Sequence, residues 1–224
     1  MCARYNLHSN QQALAEFFET TPTETLATLP LPNFNVAPTQ EAPVVVNGPR
    51  RFEVMRWGLV PFWAKDPRIG RRTINARAET LADRPAFRAA FRARRCLVPA
   101  DGFYEWTGPR GNRRPLNVHR ADGNPLALAG LWEAHAEFGP TFTIITTAPS
   151  AYMAAFHHRM PAILEPRDWD AWLAADDEDP AWRTGLLRPA AEHVLTRYRV
   201  SPAVNSVANN GPELIHPANA GRLL

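Results

Sequence analysis

The second residue of the chain is a cysteine, directly behind Met1. A small side chain at this position is what methionine aminopeptidase accepts, so removal of Met1 is expected. Cys2 would then carry a free α-amine and a thiol on adjacent carbons. Their ordinary pKa values are ~8 and ~8.5, so both groups are near their working range at neutral pH. A 1,2-aminothiol condenses with aldehydes. The amine forms a Schiff base, and the thiol adds to the same carbon and closes a five-membered thiazolidine ring. The second cysteine, Cys96, lies in an apolar segment and reads as a buried small hydrophobe.

Other polar residues interrupt apolar context. Glu105 sits between Tyr104 and Trp106 at the end of an apolar segment. A carboxylate there is partly desolvated, which raises its pKa and lets it carry protons. Asn75 and Arg77 are two apart in an extended segment, so their side chains share a face. Glu79 follows and can pair with an arginine. His157 and His158 precede Arg159, Met160 and Pro161 in a tight loop, and imidazole titrates near neutrality.

These residues need elements to position them. Hydrophobic residues make up 45% of the 224, enough for a sizeable core. Ser9 is placed to cap a helix through Gln11 to Phe18, with Leu14, Phe17 and Phe18 on one face. Residues 30–43 are proline-rich and extended. Val44–Val46 and Arg51–Val60 read as strands joined by Asn47, Gly48 and Pro49. A helix is expected at Pro85–Arg94 and a strand at Cys96–Val98. Phe103–Trp106 and Leu116–His119 read as strands joined by a polar loop, Gly108–Arg114. Leu126–Glu133 and Thr141–Thr147 read as the most buried strands. Ser150–Phe156 and Arg167–Leu173 read as helices, and Asp176–Asp179 as an acidic loop. No linker is biased enough to divide the chain. The expected fold is α+β: one mixed domain over residues 1–224, with a strand-rich, barrel-like core flanked by short helices.

Composition narrows the setting. The net charge is +3 and the isoelectric point about 9.2. Lys65 is the only lysine, so nearly every positive charge is a guanidinium, which matches phosphate oxygens well. Two cysteines are too few for a disulfide framework. With no apolar signal core and no run approaching 18 apolar residues, a soluble cytoplasmic protein without membrane contact is expected.

Four segments carry a family resemblance: Met1–Tyr5; Arg56–Trp63 with Thr73–Thr80; Arg95–Trp106; and His157–Pro161. Asn35–Thr39, Val204–Ser206 and Asn210–Pro212 add to it. In this order and spacing they resemble the SOS-response-associated peptidase (SRAP) family, whose members process abasic sites. The resemblance implies single-stranded DNA containing abasic sites as partner. It implies a covalent crosslink from Cys2 to the ring-opened deoxyribose aldehyde, with no cofactor and no metal. It assigns catalytic roles to Cys2, Asn75, Glu105 and His157. Asn75 would hold the reacting terminus, Glu105 would shuttle protons, and His157 would protonate the sugar ring oxygen. The family's histidine stands two positions before the arginine, which selects His157. Position 158 is often acidic in the family, so His158 is a departure, as is Ala3 where glycine is usual. DNA contacts are expected from Arg4, Arg77 and Arg159 on phosphates, and from Trp57 and also Trp63 on unpaired bases. A monomer associated with the nucleoid and the replication machinery during DNA damage is expected.

A second class stays open. A terminal cysteine near Asn, Glu and His also suits a thiol autopeptidase or an Ntn-type amidohydrolase. A peptidase needs a Cys–His pair and an oxyanion hole, and it can act without a free amine. A crosslinker needs the amine.

Overall fold

The computed structural model describes residues 2–20, 24, 28, 31–109, 111–174 and 180–218. It has an α+β architecture. In chain order the strands are β1 (Tyr5–Leu7), β2 (Asn33–Val36), β3 (Glu41–Val46), β4 (Arg51–Trp57), β5 (Asn75–Arg77), β6 (Arg95–Ala100), β7 (Gly102–Thr107), β8 (Arg114–Arg120), β9 (Leu126–His135), β10 (Gly139–Thr147), β11 (Met160–Pro161) and β12 (Leu195–Arg199). The helices used below are α1 (Gln11–Phe17), α2 (Pro85–Ala93), α3 (Ala151–Ala154) and α4 (Pro166–Leu173). None of the described helices is long and apolar enough to cross a membrane.

One sheet closes on itself. Its order is β10–β4–β3–β6–β9, and β9 also pairs with β10, so the strands form a barrel. The strands are rich in Val, Ile, Leu and Ala, and both of their faces are covered: Val44, Phe142 and Ile144 on one and Phe52, Leu97 and Ala129 on the other are all buried. Trp169 and Trp172 of α4 and Phe87 and Phe91 of α2 belong to the same core cluster. A second sheet, β12–β8–β7–β1–β2, is antiparallel throughout. Only Asp101 separates β6 of the barrel from β7 of this sheet.

Two local features set up the site. The first is an interruption along β10. β4 pairs with it in parallel at Thr141 and Phe142, and β5 does so at Ile144–Thr146. Between them residues 58–74 leave the barrel. Gly58 makes that exit: its φ is +121°, and a Cβ there would lie 2.6 Å from the Gly70 carbonyl oxygen. The expected strand through Val60 therefore ends at Trp57. The second feature is β1, which sequence periodicity does not reveal. Tyr5 pairs with Phe103 and Asn6 with Gly102, and Tyr104 N–H donates to the Arg4 carbonyl at 2.9 Å. The start of the chain is thereby laid along β7, on the way to Glu105.

One capping expectation is corrected. Asn10, not Ser9, caps α1, accepting from Ala13 N–H at 2.9 Å. The Ser9 hydroxyl instead donates to Asp101 at 2.6 Å. The acidic stretch Asp176–Asp179 lies outside the described residues.

Candidate active site

Cys2 is fully buried. Its carbonyl accepts a 2.8 Å hydrogen bond from Asn75 Nδ2. Asn75 opens β5, so the interruption along β10 delivers this amide to the chain terminus. The Oδ1 of the same amide is buried and has no hydrogen-bond partner among the described residues. Burial, reinforced by the charge of Glu105, pushes the Cys2 thiol up to about 12.

Glu105 lies on β7 and is almost completely buried. That burial raises its carboxyl above the usual carboxylate range. Its Oε2 is 3.8 Å from His157 Nε2. His157 follows α3 and is half-buried. Its Nδ1 lies 2.7 Å from the Arg159 carbonyl oxygen and 3.0 Å from Arg159 N. With Nδ1 engaged by the Arg159 backbone, Nε2 is the nitrogen turned toward Glu105. Burial lowers the pKa of His157, and the nearby charge of Arg113 acts in the same direction. His158 is exposed and stacks on His157, with ring centroids 4.6 Å apart and planes inclined by 28°.

These groups share a cavity of about 810 Å³. Ala3, Glu105, Arg113, Phe156, His157 and His158 are among its lining residues. Proton-carrying side chains from β7 and from the loop after α3 thus meet beside the residue that follows Cys2.

The arginines divide into two kinds. Arg77 is exposed, and its guanidinium makes no hydrogen bond or ion pair among the described residues. The buried Ala76 alternates with the half-buried Asn75 and the exposed Arg77, so the shared face of Asn75 and Arg77 holds. Arg159 is engaged instead. It grips Glu79 with two nitrogens at 2.7 and 2.9 Å and donates to the Thr146 carbonyl at 2.6 Å. Glu79 therefore does pair with an arginine, and a DNA-phosphate contact from Arg159 would have to compete with this ion pair. Arg4 donates to Asn35 Oδ1 at 2.8 Å and to the Val204 carbonyl at 2.9 Å, tying the N-terminal strand to the late segment.

Trp57 is a second correction. Its side chain is fully buried, its Nε1 donates to the Ile74 carbonyl at 2.8 Å, and its ring packs between Tyr5 and Phe142. No face is left for a base. Phe62 and Trp63, in the segment that leaves the barrel, are exposed at 60% and 48%. Cys96 is buried as expected. Sequence reasoning missed Arg113. The polar loop at Gly108–Arg114 was visible, but its reach over the cavity depends on how the β7–β8 hairpin lies across the sheet.

Residues 1–207 match the family described as SOS response associated peptidase (SRAP). The chain belongs to this family. It is 40% identical over 227 residues to abasic site processing protein YoqW of Bacillus subtilis (strain 168), covering 96% of this chain and 99% of that protein. It is 32% identical over 228 residues to abasic site processing protein HMCES of Gallus gallus, covering 85% of this chain and 67% of that protein. A crystal structure of a protein from Bacteroides thetaiotaomicron superposes with a TM-score of 0.87 at 24% identity, over 97% of this chain and 100% of that one. That last likeness concerns the fold. The SRAP match takes in Cys2 and Asn75, joined by a hydrogen bond, and Glu105 and His157, which line one cavity with Ala3.

Proposed function

We propose that this protein processes abasic sites in DNA by crosslinking to them through Cys2 once Met1 is removed. The observation that carries the reading is the Asn75 hydrogen bond to the Cys2 carbonyl, made beside a cavity that Ala3, Glu105 and His157 line. The names of the similar proteins give the lesion. An abasic deoxyribose, in its ring-opened form, is an aldehyde, and a terminal aminothiol is the group that captures one.

The chemistry follows from the groups present. His157 protonates the sugar ring oxygen and favours the open aldehyde. The freed amine of Cys2, whose proton Asn75 Oδ1 is free to accept in a hydrogen bond, attacks C1′. Glu105 carries protons as the carbinolamine loses water and becomes an iminium. The thiol then adds to the same carbon and gives up its proton, so one water is released overall. Ring closure removes the iminium that would otherwise drive β-elimination of the 3′ phosphate. A thiol held at about 12 is not a standing thiolate. This favours the aminothiol over a thiol peptidase, which needs a cysteine activated by a neighbouring base.

The test is direct. Met1-free protein is incubated with a single-stranded oligonucleotide bearing one abasic site, and a denaturant-stable shifted band is sought. Cys2→Ala is expected to abolish the band while keeping non-covalent binding. Cys2→Ser is expected to give a weaker, reversible adduct through an oxazolidine. An unchanged yield of heat-stable adduct from Cys2→Ala overturns the proposal.

A further inference from the structure

The site holds an imidazole that the scheme above does not use. His158 lines the same cavity as Glu105 and His157, is exposed, and lies flat against His157 at 4.6 Å. Two imidazolium rings stacked this closely repel each other, so the pair favours carrying one proton over two. The inner ring is sheltered and turned toward Glu105, and the outer ring is open to water. The charge of His157 is the largest influence depressing the pKa of His158, so whenever the inner ring carries a proton the outer one resists taking up another. Adjacent groups held in opposite protonation states make an acid beside a base. The other charged groups around them are Glu105 from β7, Arg113 from the β7–β8 loop, Arg159 from their own loop and the chain's α-amine.

We infer that His158 is the base that works with His157 as acid to open the cyclic abasic sugar. The inference rests on the abasic-site reading and deepens it. The abasic sugar exists mainly as a ring-closed hemiacetal, which Cys2 cannot attack. Opening it breaks the C1′–O4′ bond, places a proton on O4′ and removes the proton from the C1′ hydroxyl as C1′=O forms. No proton is gained or lost overall. One protonated and one neutral imidazole supply both transfers: His157 gives its proton to O4′, and neutral His158 takes the hydroxyl proton. The outer ring then exchanges that proton with solvent, and the inner ring recovers its own.

The inference separates two substrates. An abasic oligonucleotide must open before it reacts, whereas propionaldehyde has no ring to open. His158→Gln and His158→Phe are compared with wild type on each, by gel shift for the oligonucleotide and by intact mass for the thiazolidine on Cys2. Both variants are expected to crosslink the abasic oligonucleotide at least about tenfold more slowly and to take up propionaldehyde at the wild-type rate. The effect falls below the usual ~10²–10⁴-fold for an acid–base group because water can stand in at an exposed position. His158→Asp, which restores a base, is expected to recover most of the rate. Equal slowing on both substrates, or none on either, overturns the role of His158 while leaving the crosslinking reading intact. Failure of wild type to form either adduct sinks the crosslinking reading itself. Proton NMR titration gives an arm that needs no DNA: the His157 and His158 rings are expected to take up their protons at well-separated pH values. Independent titration of both rings at the ordinary histidine value overturns the inference.

Discussion

The inner and outer parts of the candidate site are built on opposite rules. Inside, Cys2 and Glu105 are buried, and the Cys2 carbonyl is fixed by Asn75. Outside, Arg77, Arg113 and His158 are exposed, and the Arg77 guanidinium makes no hydrogen bond or ion pair among the described residues. Burial raises the pKa of the thiol and the carboxyl together, which suits groups that must hold and pass protons. A phosphate contact needs the reverse, a guanidinium that keeps its charge and has none of its donors occupied. Arg159 shows the difference by exception. It stands two residues after His157, yet its charge is already countered by Glu79. Substitution of the buried proton carrier should therefore change rate, and substitution of the exposed Arg77 affinity.

The largest effect is expected from the inner carboxylate. Glu105→Gln should slow crosslink formation by about 10²–10⁴-fold, with affinity for abasic DNA nearly unchanged. The same substitution should raise thermal stability at pH 7. Wild type holds a carboxyl whose folded pKa is raised, so this group favours the folded state most fully at low pH and loses that contribution as pH rises through the folded value. The stability advantage of the glutamine variant should therefore shrink toward zero below the ordinary value of ~4.3, where folded and unfolded chains are both protonated. Melting curves at pH 4 and pH 7 check this sign. A stability advantage independent of pH would show that Glu105 is not the buried acid described here.

An effect of intermediate size is expected outside. Arg77→Ala should weaken binding by roughly one to two decades, the ~1.5–3 kcal/mol of a charge-assisted hydrogen bond. The salt dependence on single-stranded DNA should flatten by about 0.7 in the log–log slope. Crosslinking at saturating DNA should be mostly recovered. The smallest effect belongs to the tied arginine. Arg159→Ala removes a guanidinium already bound to the half-exposed Glu79, and should change affinity by less than about 1 kcal/mol in a titration. If Arg159→Ala proves as costly as Arg77→Ala, the ion pair opens on binding and the division between the two arginines fails.

Residue chemistry made much of this site legible before any fold was known. The cysteine behind Met1 can be read as a prospective aminothiol without context, and the two-residue spacing of Asn75 and Arg77 survives in β5. Glu105 was recognisable because a carboxylate between two aromatics in an apolar segment has few reasons to be there. What was hidden depends on partners far along the chain. Trp57 reads as a stacking surface until Tyr5 and Phe142 are seen to cover it. Arg4 and Arg159 read as free charges until Asn35, Val204 and Glu79 are placed beside them. β1 is only three residues long, too short for alternation to show, yet it brings Cys2 toward Glu105. Closure of the barrel is likewise invisible in sequence, because it rests on β9 pairing with both β6 and β10.

The central claim is that the reacting group is an aminothiol, not a thiol alone. Protein with Met1 removed and protein with Met1 retained differ in that one respect, since both keep the Cys2 side chain. Each is incubated with the same single-stranded abasic oligonucleotide, and the heat-stable adduct is quantified on a denaturing gel, with the linked residue located by mass spectrometry. The adduct is expected only from the Met1-free form, joined at Cys2, with one water lost. An equal yield from the Met1-bearing form, or attachment at another residue, would contradict the account.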